Sequence, residues 1–215
     1  MKTNQSIFPY QNLFITSRPG MGAPELVANI VNQYLQANRK CLIFASVEGC
    51  YYTYSDRIRS IREHMEIEKV HPFVTEEGKL VTVNNFFFEC EVLLSMAERY
   101  CAEVVVYEAP RALRAQKTEL IRLAQQFRQR GILFIFVTTL KRRRIPFTQR
   151  ELLAPRLSRH RKAMGSFDAV AIPYRQGCYG KNDGHDEIRI YEKGEHTYRA
   201  AFVEFDFTYQ RIREK

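Results

Sequence analysis

The chain is poor in the features that would mark it as a membrane, secreted or metal-bound protein. No apolar run in its 215 residues approaches the roughly 18–20 that a bilayer span requires. No membrane partner is therefore expected. Met1–Tyr10 has no basic stretch running into an apolar one, so the expected location is the cytoplasm. Cysteines stand at 41, 50, 90, 101 and 178, odd in number and without CxxC-type spacing. That argues against a disulfide framework and a zinc site, and no metal is expected. Cys41, Cys90 and Cys101 fall in apolar stretches and are expected as buried free thiols. No Ser-His-Asp or Cys-His pattern for nucleophilic catalysis stands out. Neither an internal repeat nor a low-complexity linker divides the chain, which reads as one domain over 1–215.

What remains is a globular composition, 45% apolar and 27% charged. Short apolar runs alternate with stretches of helical period. Leu13–Thr16, Cys41–Val47, Leu80–Val83, Glu103–Tyr107 and Ile132–Thr138 read as strands. The spacing of Leu26, Val27, Ile30, Val31, Tyr34 and Leu35 predicts a helix starting at Pro24 and stopping near Asn38. Further helices are predicted over 54–68, 87–99 and 112–130, the last capped by Gly131. Ala169–Pro173, Glu187–Tyr191 and Tyr198–Phe205 read as closing strands, with a turn at Lys193-Gly194-Glu195 between the last two. This alternation predicts an α/β fold with a mainly parallel sheet covered on both faces and antiparallel strands at its C-terminal end.

The first strand runs into Ser17-Arg18-Pro19-Gly20-Met21-Gly22 and then into a helix. Strand, glycine turn and helix are the setting of a phosphate loop. With Gly22 as the second glycine of GxxxxGK[ST], the first glycine falls on Ser17, the lysine on Ala23 and the hydroxyl residue on Pro24. Ala23 cannot place a positive charge on a phosphate, and Pro24 cannot ligate Mg²⁺ or offer an N–H to an anion. Glu25 then puts a carboxylate in the first helical turn, where it complements the helix dipole and repels a triphosphate. An ordinary strand-to-helix turn is the competing reading of these residues.

Phe14-Ile-Thr-Ser-Arg-Pro-Gly-Met-Gly22 resembles the phosphate-loop region of DnaB-type replicative helicases, where an apolar strand runs into ARPGMGKT. The strand ending Ser46-Val47-Glu48 resembles that family's Ser-Leu-Glu, and the resemblance makes Glu48 the residue that activates water. Val104–Tyr107 takes the place of the Walker B strand, its Mg²⁺-holding Asp falling on Tyr107 or, one residue along, on Glu108. The sensor Gln falls on Thr139, and Phe167–Arg175 resembles a later strand of the family. The resemblance spans about residues 10–210. It implies a RecA-like, three-layer αβα P-loop NTPase fold, with a ring-forming oligomer and single-stranded DNA as the family's partners. The lysine, the hydroxyl and the sensor Gln are missing here. Tyr107-Glu108-Ala109 followed by Arg111 is also similar to the Asp-Glu-Ala signature of Zot- and HerA-like pumping ATPases, in which Glu108 would be a catalytic acid.

The net charge of +9 is local. Lys141, Arg142, Arg143, Arg144, Arg150, Arg156, Arg159, Arg161 and Lys162 face one acid, Glu151, so residues 141–162 alone carry +8. A basic loop over 139–165, following a central strand, is an electrostatic footprint for nucleic acid. The expectation is a DnaB-like domain that has lost ATP hydrolysis, holds no cofactor and binds single-stranded DNA or a replication or mobility complex through this segment. One alternative is an active ATPase that takes ATP and Mg²⁺ with an atypical lysine, such as Lys40, and with Glu48 and Glu108 as its acids. Another is an adaptor whose basic loop docks an acidic protein.

Overall fold

The six strands at the centre of the sheet lie side by side because most of their residues are apolar toward both faces. In the computed structural model, the described residues are 10–17, 20–45, 54–64, 74–77, 79–84, 90–109, 117–139, 161–175, 186–195 and 199–214. They form one 10-stranded sheet. In chain order the strands are β1 (Asn12–Ser17), β2 (Cys41–Ala45), β3 (Val74–Glu77), β4 (Leu80–Asn84), β5 (Val104–Ala109), β6 (Leu133–Thr139), β7 (Ala169–Tyr174), β8 (Asp186–Glu192), β9 (Arg199–Asp206) and β10 (Arg211–Glu214). Their order across the sheet is β10-β9-β8-β7-β1-β6-β5-β2-β4-β3. The run from β7 to β4 is parallel. Antiparallel strands close both edges, β3 on one side and β8, β9 and β10 on the other.

Successive side chains of each strand point to opposite faces, and each face has its own core. Helices α1 (Ala23–Gln36) and α2 (Tyr54–Glu63) cover Leu13, Ile15, Ile43, Val104, Val106, Ile135 and Val137. Helices α3 (Cys90–Arg99) and α4 (Lys117–Gln129) cover Phe14, Leu42, Val105, Phe134 and Phe136. The second core is aromatic: Phe127 stacks on Phe134 with ring centroids 4.9 Å apart, and Phe14 meets Phe167 edge-on at 5.3 Å. The expected αβα layering and parallel core are thus present. No helix among the described residues is long and apolar enough to cross a membrane.

The structure departs from the sequence reading at several points. β3 and β10 were not expected; Val-Thr-Glu-Glu and Arg-Ile-Arg-Glu carry too few apolar residues to read as strands, as suits sheet edges. A short helix, α5 (Arg161–Met164), takes the end of the expected loop 139–165, and β6 takes its first residue, Thr139. Helix α1 begins at Ala23, so Pro24 is its second residue. Cys41 and Cys90 are buried thiols as expected, but Cys101 is exposed, in a left-handed turn after α3 with φ 49°. The stops at Asn38 and Gly131 hold, each with φ 67°.

Candidate functional site

In an open parallel sheet, ligands approach the carboxyl ends of the strands. Here that edge carries Ser17 of β1, the turn at Gly20–Gly22, the start of α1 and the end of β5. Gly20 and Gly22 take φ values of 79° and 93°, a left-handed region that side chains resist. Gly22 is the N-cap of α1, and no side chain bonds to that end of the helix. It is also closely covered. A β-carbon added at Gly22 would lie 2.4 Å from Cε1 of Phe205, on β9. The Phe205 ring stacks with Phe207 at 5.8 Å, and the Arg175 guanidinium lies 4.0 Å from the Phe207 ring centroid. Arg175 Nη1 also donates to the Gly20 carbonyl at 3.2 Å.

Beside the turn lies a buried polar cluster. Tyr54, Ile58 and Ile61 form the inward face of α2, and Arg57 falls on that same face. Its Nη1 donates to Glu25 Oε1 at 2.5 Å, and both side chains are about nine-tenths buried. The same nitrogen donates to Oε1 of Gln210, the residue preceding β10. Gln210 in turn donates from Nε2 to the Phe207 carbonyl. Asn29 of α1 donates to the carbonyls of Glu25, at 2.8 Å, and Gln210, at 2.7 Å. The carboxylate at the start of α1 is thus neutralised from within the chain.

β5 settles which residue occupies the strand end. Tyr107 points into the aromatic core, with Phe44 and Phe136 rings at 6.1 and 5.7 Å. Glu108 points to the opposite face, toward Arg57, Tyr54 and Glu25. Burial is the main cause that pushes its carboxyl up to about 7. The Tyr54 hydroxyl and the Arg57 charge pull the other way, and Glu25 adds to the rise. Of the two, Glu108 and not Tyr107 therefore faces the Arg57 cluster, because Tyr107 is committed to the other layer.

Lys40 is at the wrong end of the sheet to serve the turn. It precedes β2, and its carbonyl accepts from Glu103 and Val104 at the amino ends of the strands. The five residues of β2 put about 15 Å between it and the carboxyl edge. Ser17, Gly20, Met21, Gly22, Ala23 and Pro24 lie together at the end of β1 and the start of α1, and Glu108 comes near Glu25, the residue after them. Arg18, Pro19 and Glu48 lie outside the described residues, as do Lys141, Arg142, Arg143, Arg144, Arg150, Arg156 and Arg159. Arg161 and Lys162 begin α5. Sequence reasoning missed Arg57, Gln210, Phe205 and Arg175. Only Arg57 carried a signal, as a charge on the apolar face of its helix.

Asp168 has a structural task at the opposite edge. Its Oδ2 accepts the Asn12 backbone N–H at 2.9 Å, and Arg128 of α4 pairs with its other oxygen. It ties the start of β1 to α4 and to the entry of β7.

No protein-family model matches the chain, and no curated protein matches it by sequence. Solved structures do. The chain is similar to a solved ATPase domain, with a TM-score of 0.72 and 11% identity, over 95% of this chain and 84% of that one. It is also similar to a KaiC-like protein from the hyperthermophilic archaeon Pyrococcus horikoshii, with a TM-score of 0.59 and 13% identity, over 95% of this chain and 89% of that one. At such identities the likeness is one of fold, and the fold is RecA-like.

Proposed function

We propose that this RecA-fold domain does not turn over ATP and acts as a nucleic-acid-binding protein, or as part of a replication or mobility complex, through residues 141–162. The observation that carries the first half is the closed turn. Gly22 is covered by Phe205, and Arg57, the buried cation beside it among the described residues, is already bound to Glu25 and Gln210. A triphosphate arriving there meets an aromatic ring and a closed ion pair, with neither lysine nor hydroxyl at positions 23 and 24. The second half is supported by the charge of the segment, +8 of the chain's +9, set between β6 and β7. Such a cluster neutralises phosphates without reading bases, so binding is sequence-independent and salt-sensitive. Single-stranded DNA is the preferred ligand, consistent with the DnaB resemblance.

Glu108 favours a second reading. It is an acid with a raised proton affinity on the same face as the turn, as an ATP-hydrolysing enzyme would need. Phosphate release from millimolar Mg-ATP separates the two: none is expected, and turnover abolished by Glu108→Gln would install the enzyme reading instead. For DNA, anisotropy of a labelled single-stranded oligonucleotide should show binding that weakens steeply with salt. Arg142→Ala with Arg143→Ala should weaken it, and unchanged binding by that double variant would end the nucleic-acid proposal.

A further inference from the structure

We propose that the β9–β10 hairpin is a built-in plug, which holds the Gly20–Glu25 turn closed and must lift before any phosphate-bearing ligand can enter. This rests on the reading above, that the resting turn takes no triphosphate. The hairpin reaches the turn and the cluster beside it with Phe205 of β9 and Gln210 of its bend. Phe205 presses on the Gly22 α-carbon, and Gln210 engages Arg57. The bend is internally braced, with Gln210 at φ 54°, its Nε2 bonded to the Phe207 carbonyl and Tyr209 N donating to Asp206 Oδ1 at 3.2 Å.

The rest of the hairpin is latched to the helices. Ile212 N donates to Asn29 Oδ1 at 3.3 Å, and Arg211 Nη2 donates to the Ile61 carbonyl at 3.1 Å. Arg175 acts from the sheet side, holding the Gly20 carbonyl and lying over Phe207. Apolar packing adds to these latches: Phe205 is buried in the core that α1 covers, and Phe207 and Ile212 pack against it. β10 is the last strand of the sheet and pairs with β9 alone. An edge strand so held opens locally at lower cost than the central strands. Once lifted, it takes Gln210 from Arg57, which keeps its pair with Glu25, and uncovers the N-terminus of a 14-residue helix, whose dipole favours an anion.

The test uses the full chain and inorganic pyrophosphate, titrated by calorimetry. The unaltered chain is expected to take up none at millimolar concentration. Phe205→Ala with Gln210→Ala should bind it saturably, at least about tenfold more tightly, and adding Arg57→Gln should remove that binding. A folded double variant that binds no pyrophosphate overturns the plug and leaves the proposed function standing. Binding by the unaltered chain as tight as by the variant overturns both. Should the double variant fail to fold, hydrogen exchange of the unaltered chain decides. Residues 211–214 should exchange much faster than β1 and β6, and equal protection there overturns the proposal.

Discussion

Arg57 of α2 and Glu25 of α1 form an ion pair of 2.5 Å, with both side chains about nine-tenths buried. Such a pair adds little stability when intact, because desolvation offsets its attraction. Breaking it on one side strands a charge. Glu25→Ala and Arg57→Ala should each cost about 3–5 kcal/mol, read from urea unfolding midpoints. The double variant should cost clearly less than the two together, and simple additivity would deny the coupling.

Gly22→Ala meets two obstacles: a left-handed backbone at φ 93° and the Phe205 ring. The expected loss is about 2–4 kcal/mol. In a Phe205→Ala background the steric share should vanish, leaving about 1 kcal/mol for the backbone. An equal loss in both backgrounds would show that Phe205 does not press on the turn.

Asp168→Ala removes the acceptor of the Asn12 N–H and the partner of Arg128. A loss of about 1–3 kcal/mol is expected. Asp168→Asn keeps an oxygen for Asn12 and should lose less. Thermal melts of the two variants check the order.

Glu108 holds its proton up to about pH 7 in the folded chain, well above a carboxyl in the unfolded chain. The folded state therefore binds the proton more tightly, and the contribution of Glu108 to stability falls as pH rises from about 4.5 to 7. Glu108→Gln removes this slope. The variant should gain on the unaltered chain by roughly 1–3 kcal/mol at pH 8 and by little at pH 4.5. A constant difference between those pH values would mean that the carboxyl is not held off ionisation.

Most of the fold could be read from periodicity. Val104–Tyr107 and Leu133–Thr138 are apolar on both faces, which places them inside a covered parallel sheet wherever the rest goes. β10 was not legible, since Arg-Ile-Arg-Glu becomes a strand only because β9 offers it a ladder. At the site, the degenerate turn was plain from Ala23 and Pro24, while its occupants were not. Phe205 and Gln210 lie more than 180 residues from Gly22, and nothing in their local sequence points to it.

By itself the sequence determined the layers, the glycine turn without its lysine, and the concentration of positive charge in residues 141–162. Those follow from local residue chemistry, which needs no partner to express itself. Only the tertiary structure decided that Glu108, not Tyr107, faces the Arg57 cluster, that Lys40 lies at the far edge, and that Arg57 is neutralised by Glu25 and Gln210. Each depends on which strand end and which helix face come together, and the crossovers of the sheet set that over long stretches of chain.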